Sequence, residues 1–124
     1  MSIWYANTFT IGTGVRVTTI TVTTAATSLD ALLTTAVAGR TSLVGRRSLI
    51  LRNLDATAAF YILESSTQTA TDGWNVEAGD DWSSEASESA TLNEYPISAS
   101  TNGGAGFYLA CASGTVSVKV LEGK

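Results

Sequence analysis

The sequence predicts an all-β protein: a single antiparallel β-sandwich, jelly-roll-like, with one short helix near residues 28–36 and an N-terminal arm. Short apolar runs recur at close spacing with Gly, Asn and Asp between them, which is typical of a sandwich or small barrel. A length of 124 residues is enough for one core, and 44% hydrophobic against 15% charged residues fits a globular chain. We therefore expect an arm over residues 1–14 and one β-sandwich domain over residues 15–124.

The arm carries the aromatic side chains Trp4, Tyr5 and Phe9, followed by the flexible stretch Gly12-Thr13-Gly14. Arms of this kind often pack on a neighbouring subunit. The same residues also fit a first edge strand that covers the sandwich of its own chain. The sequence leaves both interpretations open.

The first strand of the sandwich is predicted to begin at Val15, and its apolar alternation changes phase along its length. Val15 and Val17 share one face, whereas Ile20 and Val22 share the other. Because a regular strand keeps its apolar residues on one face, we expect a β-bulge near residues 18–19 or a strand that crosses between sheets.

One segment has helical periodicity. Leu29, Leu32 and Leu33 are spaced i, i+3, i+4, which places them on one apolar stripe. Ser28 precedes this stripe and is a suitable N-cap, and Gly39 would end the helix. We expect one or two turns that lie over an open end of the sandwich.

Three β-hairpins in succession are predicted between Gly45 and Gly123. Cys111 lies in the apolar alternation of the third, and we expect it to be a small buried core residue. The segments concerned are residues 46–53 with 59–63, a turn-rich middle over residues 72–80, and residues 107–111 with 115–120.

The composition argues against catalysis. The chain contains no histidine, the side chain most used for proton transfer near neutral pH, and Cys111 is its one cysteine. The acids of the polar half could offer oxygen ligands to Ca²⁺, but their spacing does not match the EF-hand pattern. We expect no enzyme and no catalytic, cofactor-binding or metal-binding residues; the acids considered are Asp72, Glu77, Asp80 and Asp81.

The charge and hydropathy of the sequence limit the classes of partner that we expect. A net charge of −4 argues against a nucleic-acid binder, because phosphate neutralisation needs clustered basic residues. No apolar run approaches the ~18 residues of a membrane span, and no basic leader precedes the arm, so we expect no membrane partner and synthesis in a cytoplasm. Arg40, Arg46 and Arg47 are interface candidates that would meet acidic side chains of a partner protein.

Two tryptophans lie among the acids of the polar half. Trp74 and Trp82 are candidates for non-catalytic glycan binding. The alternative interpretation is that each tryptophan plugs one end of the sandwich.

The order of strands resembles the small β-sandwich decoration (cement) or head-fibre proteins of tailed-bacteriophage virions. A basic-aliphatic strand ending in Asn (residues 46–53) precedes an aromatic strand, Phe60-Tyr61-Ile62, and a Gly-containing turn at Asp72-Gly73. A second aromatic strand, Phe107-Tyr108-Leu109-Ala110, and a terminal Val-x-Val-x-Val-x-Glu (residues 116–122) follow. The resemblance covers residues 45–122 and has no counterpart for residues 1–14.

The resemblance implies a virion structural protein, with a capsid decoration protein favoured, that binds the outer shell and stabilises it. Its partners would be the major capsid protein and other copies of itself, with a trimer favoured over a dimer, and it would lie on the capsid surface after synthesis in the host bacterial cytoplasm. The alternative is a tail-fibre or adhesin module that binds glycans.

Overall fold

A computed structural model describes residues 15–41, 43, 48–85 and 108–123 of the chain. These residues contain eight strands, one α-helix and one short 3₁₀ turn, Ala70–Asp72. The helix, α1, spans Leu29–Ala36. The strands are β1 (Val15–Val22), β2 (Thr27–Ser28), β3 (Ser48–Asn53), β4 (Phe60–Leu63), β5 (Trp74–Val76), β6 (Asp81–Glu85), β7 (Tyr108–Cys111) and β8 (Val116–Gly123).

The strands form two antiparallel sheets of four, in which the first strand pairs with the last, the second with the second-last, and so on inward. β1 pairs with β8, β2 with β7, β3 with β6 and β4 with β5. Two further pairs, β3 with β8 and β4 with β7, complete a first sheet in the order β1-β8-β3-β6 and a second in the order β2-β7-β4-β5. Eight strands wound into two such sheets make a jelly roll, so the predicted fold class is confirmed.

The predicted hairpins are wrong for the first and third pairs. β3 and β4 follow each other in the chain but belong to different sheets, and so do β7 and β8. The turn at Ala112-Ser113-Gly114, where Gly114 has a φ of 63°, carries the chain across the sandwich. Apolar alternation indicates which side chains are buried but not which strand lies alongside, and here remote strands provide the hydrogen bonds.

β1 contains neither the expected bulge nor a crossing between sheets. Its pairing with β8 is uninterrupted from Val15 opposite Gly123 to Val22 opposite Val116. Ile20 and Val22 point into the core, whereas Val15 and Val17 point to the outside of the first sheet and are exposed. The change of phase therefore marks apolar residues on the outer face of a regular strand.

The predicted helix is confirmed. The Ser28 hydroxyl accepts a hydrogen bond from the Ala31 N–H at 3.2 Å, which satisfies one of the donors left free at a helix start. Leu29, Leu32 and Leu33 are buried. Because α1 packs on β1 and β2, the edge strands of the two sheets, it covers that side of the sandwich.

The core lies between the sheets and receives apolar side chains from both. Cys111, 1% exposed, is a member as predicted, and burial raises the pKa of its thiol. The first sheet contributes Ile20, Val22, Leu49, Leu51, Val116, Val118 and Val120, and the second contributes Phe60, Val76, Leu109 and Cys111.

A buried amide joins the two sheets. The Asn53 side chain, at the end of β3, donates to the carbonyl of Ala58 at 2.9 Å and to that of Val76 at 3.0 Å. Its oxygen accepts from the N–H of Asp55 at 2.8 Å. Asn53 is 1% exposed, so these hydrogen bonds replace the ones that its side chain would make to water in the unfolded chain.

We expect Asn53→Ala to lower the free energy of unfolding by about 2–3 kcal/mol, because three hydrogen bonds disappear and two carbonyls, one buried and one partly buried, lose a donor. Urea unfolding followed by tryptophan fluorescence measures the change. Asn75→Ala is the matched control, since Asn75 is exposed, and should cost no more than about 0.5 kcal/mol. Equal effects of the two substitutions would contradict the bridging role.

Candidate docking surface on the first sheet

A buried ion pair sets the facing of β1. Glu122 is fully buried, and its Oε1 accepts from Arg16 Nε at 3.0 Å and from Nη2 at 2.8 Å. Its Oε2 accepts from the N–H of Leu43 at 2.8 Å, and Arg16 also donates to the carbonyl of Thr41. Because Arg16 points inward, its neighbours Val15 and Val17 must point outward.

An apolar row consequently crosses the outer face of the first sheet. Val17 lies opposite Leu121, and Leu121 lies opposite Ile50; we call these three residues the outer apolar row. Val17 is 51% exposed, and Leu121 and Ile50 are half-buried. With strands about 4.8 Å apart, the row is roughly 10 Å wide. Val15, 39% exposed, extends it at the start of β1.

Charged side chains border the outer apolar row. Lys119, Arg52 and Asp81, which we call the charged row, lie side by side on β8, β3 and β6. Arg52 binds Asp81 through two hydrogen bonds, Nε to Oδ1 at 2.7 Å and Nη2 to Oδ2 at 3.0 Å. These bonds hold the pKa of Asp81 below its usual value. An apolar strip bordered by exposed charged side chains is typical of a protein-binding surface.

Arg40, one of the predicted interface residues, makes contacts within its own chain. Its Nη1 donates to Thr18 Oγ1 at 2.9 Å and approaches the carbonyl of Val17 at 3.5 Å, and the residue is half-buried. These hydrogen bonds of Arg40 connect the segment that follows α1 to strand β1. The other predicted interface residues lie outside the described residues, and their role stays a prediction; they are Trp4, Tyr5, Phe9, Arg46 and Arg47.

The two tryptophans have different surroundings. Trp82, on β6, lies opposite Leu51, is half-buried and packs against the core. Trp74, on edge strand β5, lies opposite Ile62 and is 69% exposed. β5 and β6 are edge strands of opposite sheets on the same side of the sandwich. Of the two candidate glycan-binding residues, Trp74 is the one that solvent reaches over most of its surface.

Three of the four candidate Ca²⁺ ligands, Asp72, Glu77 and Asp81, make local hydrogen bonds within the chain. Asp72 accepts from the N–H and hydroxyl of Thr69 at 3.0 and 2.9 Å, which lowers the pKa of Asp72, and Asp81 is held by Arg52. Glu77 accepts from the side-chain amide of Asn75. Within the part of the chain that the structure describes, no three potential ligands among His, Cys, Asp and Glu cluster around a metal position.

The outer apolar row is the surface that sequence reasoning missed. The signal was present, because Val15 and Val17 break the alternation that buries Ile20 and Val22. A bulge explains such a break equally well when the pairing partner is unknown. Only the uninterrupted register with β8 shows that these valines face outward.

Comparison of the chain with protein family models, with curated proteins and with solved structures gives no match. Among the described residues, no helix has the length and hydropathy needed to cross a bilayer. The class that the fold defines is an all-β jelly roll with an apolar strip on one outer face.

Asp81→Asn should weaken the protein modestly at pH 7 and progressively less as the pH falls. A carboxyl whose pKa is lowered in the folded state contributes stability above its unfolded value of about 3.9, and this contribution disappears as the pH falls through the folded value. Because the pair is largely exposed, the loss at pH 7 should be about 0.5 kcal/mol.

Urea midpoints of wild type and variant between pH 7 and pH 2.5 measure this effect. Asp80→Asn, which removes the adjacent carboxylate, separates the loss of the ion pair from the loss of one charge. A difference between wild type and Asp81→Asn that grows on acidification would contradict the sign of the linkage.

Proposed function

We propose that this chain is a structural protein of a tailed-bacteriophage virion, a capsid decoration protein that binds the outer shell and stabilises it. The outer apolar row is the observation that carries the proposal. Val17, 51% exposed, and the half-buried Leu121 and Ile50 form an apolar strip on a regular sheet. Apolar strips of this kind mark surfaces that bind other proteins.

The architecture supports the same proposal. Jelly rolls with two four-stranded sheets are common among viral capsid and lectin domains. Function does not follow from fold alone, so the proposal rests on the surface and uses the fold as an analogy.

The proposed partners are the major capsid protein and further copies of this chain. The aromatic residues Trp4, Tyr5 and Phe9 would contribute apolar contacts, and Arg46 and Arg47 would form ion pairs with acidic groups of the shell. A net charge of −4 favours a protein partner over nucleic acid. A trimer is the proposed assembly, as the resemblance to phage decoration proteins implies, and it would be closed by symmetry like most homo-oligomers.

Purified phage particles test the proposal. We expect tagged full-length protein to co-purify with particles and to appear as density on the outer shell by electron microscopy. A variant with Trp4, Tyr5 and Phe9 changed to Ser should bind particles at least about tenfold more weakly, because three apolar anchors are lost. Leu54→Ser, a change at an exposed apolar residue in the β3–β4 connection, is the control. Protein found in lysates and never in particles would end the proposal.

Trp74 supports a second candidate function, glycan binding by a tail-fibre or adhesin module. Its indole is 69% exposed at a sheet edge, and a flat amphipathic ring can stack on a sugar. Here we expect binding on a glycan array that Trp74→Ala abolishes and Leu54→Ala leaves unchanged. An array on which the wild type binds no glycan would eliminate this candidate.

A further inference from the structure

The outer face of the first sheet has an apolar surface at the point where the arm joins the domain. Val15 and Val17 are 39% and 51% exposed, although β1 is regular and could have placed polar residues there, as it does with Thr19 and Thr21. Leu121 and Ile50 continue the surface across β8 and β3. Exposed β-branched and aliphatic residues in adjacent strands are typical of a face that another chain covers.

The segment before Val15 is uncharged and rich in apolar residues, which makes it suitable for packing on this surface. Ile3, Tyr5, Phe9 and Ile11 all fall on odd-numbered positions, with Asn7 between the two pairs, so an extended chain would place these four apolar side chains on one face. The first charged residue of the chain is Arg16, so residues 1–14 contain no charged side chain. An uncharged segment with alternating apolar residues matches the outer apolar row and is poorly matched to the charged row beside it.

We infer that the arm, residues 1–14, of one copy docks on the outer apolar row of a neighbouring copy. This inference deepens the proposed function, on which it rests, by naming the contact that joins copies of the decoration protein. Phe9 and its apolar neighbours pack on Val17, Leu121 and Ile50, and the charged row limits how far along the strands the arm can lie.

Geometry favours a neighbouring copy over the arm's own chain. Val15 opposite Gly123 opposite Ser48 is the last described row of paired residues in the first sheet. An extended segment continuing β1 would run beyond this row, away from the outer apolar row of its own chain, and would keep odd-numbered residues such as Phe9 and Ile11 on the side of Val17. Eleven extended residues reach roughly 36 Å, far enough to meet a second molecule.

The arm and the row that receives it are different surfaces, so the contact is either exchanged reciprocally in a two-fold dimer or repeated head to tail. Heterologous contacts close into a ring when the rotation between copies permits, and a trimer is the smallest ring beyond a reciprocal dimer. Exchange of an identical segment is also a low-cost route to assembly, because the same contacts serve every copy.

Disulfide trapping between two variants, each with one cysteine added to the buried Cys111, tests the exchange. Full-length Phe9→Cys protein is mixed with full-length, isotopically labelled Val17→Cys protein under mild oxidation, and the products are separated on non-reducing gels and identified by mass. We expect a labelled–unlabelled heterodimer to form at least about tenfold faster than with Thr21→Cys, because docking raises the local thiol concentration. Thr21 is the matched partner, exposed on the same face of β1 and about 14 Å further along. Wild type, with Cys111 buried, is the background control.

Three results would overturn the inference. In a protein that carries both Phe9→Cys and Val17→Cys, an intrachain disulfide without interchain products would assign the row to the chain's own arm. Trapping no faster than with Thr21→Cys would show that the arm does not dock there. Trapping of Val17→Cys on the major capsid protein in particles, and not on the arm, would assign the row to the shell. Co-purification with particles is measured separately, so failure of the arm contact and failure of the decoration role are distinguishable.

Discussion

The fold depends on placing its last strand between its first and its third. β8 pairs along its whole length with β1 on one side and from Val118 to Gly123 with β3 on the other, and it contributes Val116, Val118 and Val120 to the core. The Arg16–Glu122 pair joins residues 106 positions apart. Since contacts so distant in sequence carry a large closure entropy, neither sheet gains its full stability until the C-terminal strand is in position.

The same pairing couples the core to the outer surface. Side chains alternate along a strand, so a register that buries Glu122 must expose the side of Leu121, and one that buries Arg16 must expose Val17. If the register of β1 slipped by one residue, Val17 would point inward and Arg16 outward, and Arg16 would lose its contact with Glu122. The ion pair therefore helps to specify which face carries the outer apolar row, a role in specificity that buried charges can have without adding net stability.

Local patterns in the sequence were sufficient for the fold class, for the Ser28-capped helix and for the burial of Cys111, because each depends on neighbouring residues. The strand partners were not predictable in this way. β7 and β8 are separated by a short turn and yet lie in opposite sheets, since apolar alternation contains no information about which strand supplies the hydrogen bonds. Trp74 and Trp82 have similar surroundings in the sequence but different exposure in the structure. Trp74 lies opposite Ile62 on an edge strand, whereas Trp82 lies opposite the core residue Leu51.

The size of the outer apolar row limits what it can do alone. Three side chains across roughly 10 Å of sheet offer far less than the ~800 Å² per partner that a stable interface buries. The ion pair of the charged row adds little, since both of its side chains are more than 40% exposed. Stable assembly through this face therefore requires more apolar area than the described sheet provides. A fourteen-residue segment with Ile3, Tyr5, Phe9 and Ile11 on odd-numbered positions could supply this area, which is why we propose that the surface and the arm form one contact.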